Sequence, residues 1–213
     1  MRNKQKGIWV NQKGLAQLGL DEAMLRGAIQ YSNRVLDSLD DTLVSAGEPR
    51  MARLLELANL SAVIGNLFRG GLAKASHGRF EANGPHKYPD LVSKDRRFES
   101  LEIKVALEVN KPKGHLIKPG PHIIVRYVLG DEHGKCVPGK DNRGSVVWIW
   151  EVRAGVLNNQ HFSVSNTPGD SGKTAVINKD GMDALKVAFV DVDRCPFETT
   201  SRTYKALSAL KPD

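Results

Sequence analysis

The chain has 213 residues, enough for one sizeable core, and 31 Lys and Arg against 24 Asp and Glu give a formal net charge of +7. That surplus suits a polyanionic partner. No apolar run is long enough to cross a membrane as a helix, and the basic start MRNKQK lacks the apolar stretch of a signal peptide.

Residues 1–20 read as an irregular arm with scattered apolar anchors. Asp21 is placed to cap a helix over 21–45, where Leu25, Ala28, Ile29, Val35, Leu36, Leu39 and Leu43 recur at helical spacing; Gly47 is placed to stop it. Pro49 suits the first turn of a second helix, 49–68, which is apolar nearly all round and so expected to be buried. Glu56 shares a face with Leu60, Val63 and Leu67 of that helix, so its carboxylate needs a partner such as Arg53 or a solvent edge. The paired Gly70 and Gly71 are expected to end the helix, and 72–87 reads as a loop containing Glu81.

The stretch YPDLVSKDRRFESLEIKV, residues 88–105, reads as two short strands joined by a charged turn. Side chains two apart on a strand share a face, so Glu102 and Lys104 emerge together while Leu101, Ile103 and Val105 point into a core. Pairing of the two strands would bring Asp90 alongside Glu102. Crowded carboxylates repel unless a divalent cation lies between them, and a hard ion such as Mg²⁺ takes one or two carboxylates with water and phosphate oxygens.

Beyond it, residues 110–122 (NKPKGHLIKPGPH) form an irregular, exposed segment carrying Lys111, Lys113, His115 and Lys118. Residues 122–129 and 145–152 read as strands, separated by a long loop with Lys135, Lys140 and Arg143. Trp148 and Trp150 share a face and are expected in core or dimer packing. The stretch TPGDSGKTAV looks like a phosphate-binding loop but has Thr167 where the pattern needs Gly, and 175–177 reads as extended, so no nucleotide cofactor is expected. Lys173 and Thr174 remain candidates for hydrogen bonds to phosphate. Asp180 is placed to cap a short helix over 181–185, followed by a strand over 187–192 and a helix over 198–210. Cys136 and Cys195 stand in no metal-type spacing, so reduced thiols in a cytoplasmic protein are expected.

Pro89-Asp90 followed by Glu102-Ile103-Lys104 resembles the motif of the PD-(D/E)XK nuclease superfamily, which includes the type II restriction endonucleases. The resemblance implies an α/β fold with a restriction-endonuclease-like core, a mixed central β-sheet flanked by helices. The arm and helix of 1–48, a candidate dimerisation element, would precede a nuclease core over 49–213. Asp90, Glu102 and Lys104 would be catalytic, joined by Glu56 as the acidic residue that such folds often take from the preceding helix. One or two Mg²⁺ would be held by Asp90, Glu102 and the backbone carbonyl of Ile103. The implied partners are double-stranded DNA and a second copy of the chain in a homodimer, with no membrane. Lys111, Lys113, His115, Lys118, Lys140, Arg143, Lys173 and Thr174 would then be DNA contacts; such lysines position the backbone without reading sequence. Hydrolysis by a sequence-specific type II restriction endonuclease is the expectation. The alternatives are a junction-resolving, repair or phage-defence nuclease of the same superfamily, or a DNA-binding module without activity. Binding alone gives no chemical reason for the Asp, Glu and Lys set.

Overall fold

The structure, a computed structural model, describes residues 2, 6–84, 87–136, 143–165 and 174–212. The chain begins with β1 (Ile8–Trp9), α1 (Gln12–Gln17) and the long α2 (Glu22–Ser45). As expected, Asp21 caps α2, its Oδ1 accepting the Met24 N–H at 2.8 Å, and Gly47 lies past its end at φ +81°. The next helix departs from expectation. Met51–Leu54 makes one turn, α3, and the chain is extended at Leu55 and Glu56 before α4 (Leu57–Ala75). The Asp40 carboxylate accepts the Met51 N–H and anchors α3 separately. Glu56 is thus an exposed N-cap residue and not a member of a buried helical face, and Leu54 and Leu57 are exposed too.

Gly70 and Gly71 lie inside α4, which runs on to Ala75. Gly71 is there for closeness. A Cβ on it would sit 3.0 Å from the Ala28 Cα and 2.9 Å from the Tyr31 Cβ, where α4 crosses α2.

After α4 come β2 (Phe80–Ala82), β3 (Leu91–Ser93), β4 (Glu102–Leu107), β5 (Lys113–Gly114), β6 (Gly120–Gly130) and β7 (Val146–Leu157). Then follow β8 (Phe162–Ser165), β9 (Thr174–Ile177), α5 (Lys179–Ala184), β10 (Lys186–Val190) and α6 (Arg202–Ser208). Asn178, not Asp180, caps α5 by accepting the Gly181 N–H, and Ser201 caps the shorter α6. The protein is α/β, with a five-stranded mixed sheet of order β1-β10-β7-β6-β4. Only β4 and β6 are parallel, and β4 is an edge strand. A pair, β2-β3, and a three-stranded sheet, β5-β9-β8, lie beside it.

Helices α2 and α4 cover one face. Ile103, Ile123, Val125, Ile149 and Val152 of the sheet meet Leu25, Ala28, Phe68 and Leu72 there. On the other face Ile124 and Leu157 meet Ile177 and Met182, while Trp148 and Trp150 meet Leu207 of α6. The β6–β7 register shifts between Arg126 and Tyr127, leaving Trp150 as an extra residue in β7. Trp148, Trp150 and Glu151 therefore reach the same face. The arm is part of this architecture: β1 pairs with β10, and buried Arg2 binds Asp40 at 2.8 Å and the Val147 carbonyl at 2.7 Å. No helix among the described residues is long and apolar enough to cross a membrane.

The two adjacent glycines should respond oppositely to alanine. Gly70 has only the Tyr31 Cε1 at 4.0 Å, so Gly70→Ala should stabilise by up to about 1 kcal/mol through helix propensity. Gly71→Ala pushes against α2 and should destabilise by about 1–3 kcal/mol in urea unfolding.

Candidate active site

The site forms on the open edge of β4. Leu101 is fully buried, Ile103 is 7 % exposed and both lie on the helix side, so Glu102 and Lys104 project to the opposite face as strand alternation requires. Lys104 Nζ donates to Glu102 Oε1 at 2.5 Å. The hairpin expected over 88–105 is much reduced. β3 pairs with β2, and only a single bridge, Leu91 to Leu101, joins it to the start of β4. That bridge still sets Asp90 against the strand, where its Oδ2 accepts the Ile103 N–H at 2.8 Å. A strand residue points its N–H and C=O to the same side, so the Ile103 carbonyl lies on the same open edge as the Asp90 carboxylate.

A second lysine completes the ion pairs. Lys118 Nζ donates to the same Glu102 oxygen at 2.8 Å and lies 4.5 Å from the centre of the Tyr88 ring. An open cleft of about 690 Å³ runs over this edge. One wall is the segment from Lys113 to Lys118, the other is α4, and Asp90, Ile103, Lys104 and Val105 lie between them. The α4 wall is a helical stripe, Ala58, Ser61, Ala62, Gly65, Asn66 and Arg69, at spacings of three and four residues.

Burial raises the Asp90 pKa above its ordinary value; the Ile103 N–H opposes this and the nearby Glu102 charge adds to it. Burial also pushes Glu102 upward, but the hydrogen bonds and charges of Lys104 and Lys118 outweigh it and leave that carboxyl below the usual range. His122 of β6 is the register partner of Glu102 and is fully buried. Its Nδ1 lies 2.9 Å from the Gly120 carbonyl, which can only accept, so the proton is assigned to Nδ1 and Nε2 is a lone pair. Burial lowers its pKa, keeping the ring neutral. Glu102 Oε2 and His122 Nε2 are both buried without a hydrogen-bond partner.

No group of three His, Cys, Asp or Glu gathers among the described residues to enclose an ion. Mg²⁺ does not require one, since it keeps several waters and takes one or two carboxylates with substrate oxygens. Asp90, the unused oxygen of Glu102 and the Ile103 carbonyl are hard oxygen donors of that kind, so the residues fit such an ion.

The remaining expected residues divide. Lys113, His115 and Lys118 line the cleft, while Lys111 is exposed outside its lining and Thr174, which opens β9, is not among the lining residues either. Arg143 is not free for a groove, because its guanidinium is paired with Glu108 at 2.8 and 3.2 Å and its carbonyl accepts from Arg53. Glu56 is not among the residues lining the cleft, and Glu81 pairs with Lys94 at the surface. Lys140 and Lys173 lie outside the described residues. The sequence reading missed Arg69 and Asn66, although the polar and small stripe on α4 was visible, and it missed His122, which alternation places beside Glu102. No protein-family model and no curated protein matches the chain.

A carboxyl whose folded pKa is raised favours its protonated form in the fold, so its contribution to stability falls as pH rises from the ordinary value of 3.8 through the folded value. Neutral Asn at this position keeps an oxygen for the Ile103 N–H and loses that penalty. Asp90→Asn should therefore raise the Tm at pH 7 in chelator, and the gain should vanish as acid protonates the wild-type carboxyl.

Proposed function

We propose that the chain is a Mg²⁺-dependent endonuclease with a restriction-endonuclease-like core, hydrolysing phosphodiester bonds of double-stranded DNA. The observation that carries this reading is Asp90, locked to the backbone of Ile103 on the same strand edge that presents Glu102 and Lys104. The Pro-Asp and Glu-x-Lys pattern of residues 89–90 and 102–104 is the sequence counterpart of that geometry.

Asp90, Glu102 and the Ile103 carbonyl would hold the ion. When bound, Mg²⁺ supplies Lewis-acid stabilisation of charge on the phosphoryl oxygens and lowers the pKa of water. The Ile103 N–H fixes one oxygen of the Asp90 carboxylate, and the other would be the one offered to the ion. Lys104, 21 % exposed at the cleft, holds the attacking water or the scissile phosphate and stabilises the charge that develops there. Lys118 keeps Glu102 ionised and adds a second positive charge beside the phosphate. Lys113, His115 and Arg69 place cationic or polar groups on both walls, where a polyanion would contact them. A homodimer cutting both strands of a palindromic site, through α2 or another surface, belongs to the same reading.

The test is cleavage of a plasmid and of mixed genomic DNA, with Mg²⁺ and with chelator. Metal-dependent cutting is expected, with discrete genomic fragments if recognition is sequence-specific. Asp90→Ala and Lys104→Ala should each lower the rate by about 10²–10³-fold or more while leaving the circular-dichroism spectrum unchanged. Full activity in either variant contradicts the assignment, and binding without cutting by the unmodified chain points to the DNA-binding module.

A further inference from the structure

The segment between β5 and β6 carries a feature that phosphate contact does not explain. At its tip Leu116 is 69 % exposed and Ile117 38 % exposed, the former the most open of the large apolar side chains among the described residues. Both sit between cleft-lining lysines, Lys113 on one side and Lys118 on the other, with the polar His115 next to the tip. Tyr88, 51 % exposed, stands across Lys118 from Glu102. The tip is also held at both ends. Lys113 and Gly114 pair with Val176 and Ala175 of β9, and the Tyr88 hydroxyl donates to the Pro119 carbonyl at 3.2 Å.

An apolar tip framed by cations has the chemistry of a side chain that enters a base step. The cations hold the phosphates on either side, and the apolar groups replace the stacking partner that the step loses. An exposed aromatic ring adds a surface on which a displaced base stacks. A groove on another protein would match Leu116 and Ile117 but has no use for the flanking positive charges. We propose that Leu116 and Ile117 form a wedge that enters a base step of the DNA lying in the cleft, so that the preferred substrate is duplex DNA with a bulged or otherwise distorted step. This inference rests on the nuclease reading and specifies the substrate of the same site.

Wedging costs less where a base is already unpaired, so binding to a one-base bulge should exceed binding to the matched duplex by about tenfold or more. The test uses 2-aminopurine beside such a bulge, in chelator and at low salt, with binding followed by anisotropy. The wild-type chain should raise the 2-aminopurine fluorescence on saturation. The Leu116→Ser, Ile117→Ser double variant changes only exposed side chains and keeps every lysine. It should still bind the matched duplex within a few-fold, yet lose both the fluorescence rise and the bulge preference. Leu116→Met, still apolar, should retain both. An undiminished rise in the double variant, or no rise on DNA that wild type demonstrably binds, overturns the wedge alone and leaves the plasmid result standing. Absence of binding to either duplex, together with absence of plasmid cleavage, overturns the wedge and the nuclease reading together.

Discussion

The ion pairing of Glu102 is the constraint on which the site depends. A carboxylate only 2 % exposed stays ionised only if its charge is compensated on the spot, and here two ammonium groups share one of its oxygens. Lys104 comes from the same strand face, so its position follows from alternation alone. Lys118 comes from the segment before β6, and its bond ties that segment to the strand. The second oxygen stays unpartnered, as does Nε2 of its register partner His122, so a buried acidic group retains an unused acceptor. A purely structural salt bridge gains nothing from that arrangement. A cation site does.

Topology explains why the basic segment passes this point. Because β4 and β6 are parallel, the chain must travel back along β4 before β6 can begin, and Glu102 is opposite His122 near the start of both. Residues 108–119 make that return and carry Lys113, His115 and Lys118 past the carboxylates. On the other side α4 approaches so closely that a Cβ on Gly65 would lie 3.2 Å from the Val105 Cγ2. The stripe of small residues on α4 keeps the cleft open over the strand edge. That edge is also suited to chemistry, because the Ile103 backbone group that a central strand would use for pairing is bound by Asp90 instead.

Much of this was legible in the chain. Period-two alternation through 101–105 placed Glu102 and Lys104 on one face and Leu101 and Ile103 on the other, and Asp21 and Gly47 bounded α2 through local chemistry. The failures have tertiary causes. The separate start of α3 is held by Asp40, in another helix, taking the Met51 N–H. Gly71 reads as a stop signal until the crossing of α2 and α4 demands its missing side chain. Arg143 reads as a free cation until Glu108, distant in sequence, pairs with it. Each depends on a neighbour that only the folded chain supplies, whereas the arm of 1–20 hid Ile8–Trp9 because a two-residue strand has no period to detect.

The proposed chemistry needs a divalent cation held by Asp90 and Glu102, and calorimetric titration of Mg²⁺ into the protein without DNA measures that directly. Wild type should bind the ion with a saturable heat, and Asp90→Asn, which keeps the hydrogen bond to Ile103 but removes the charge, should bind it far more weakly. Saturable binding of equal affinity in the two proteins, or none in wild type, would contradict the account.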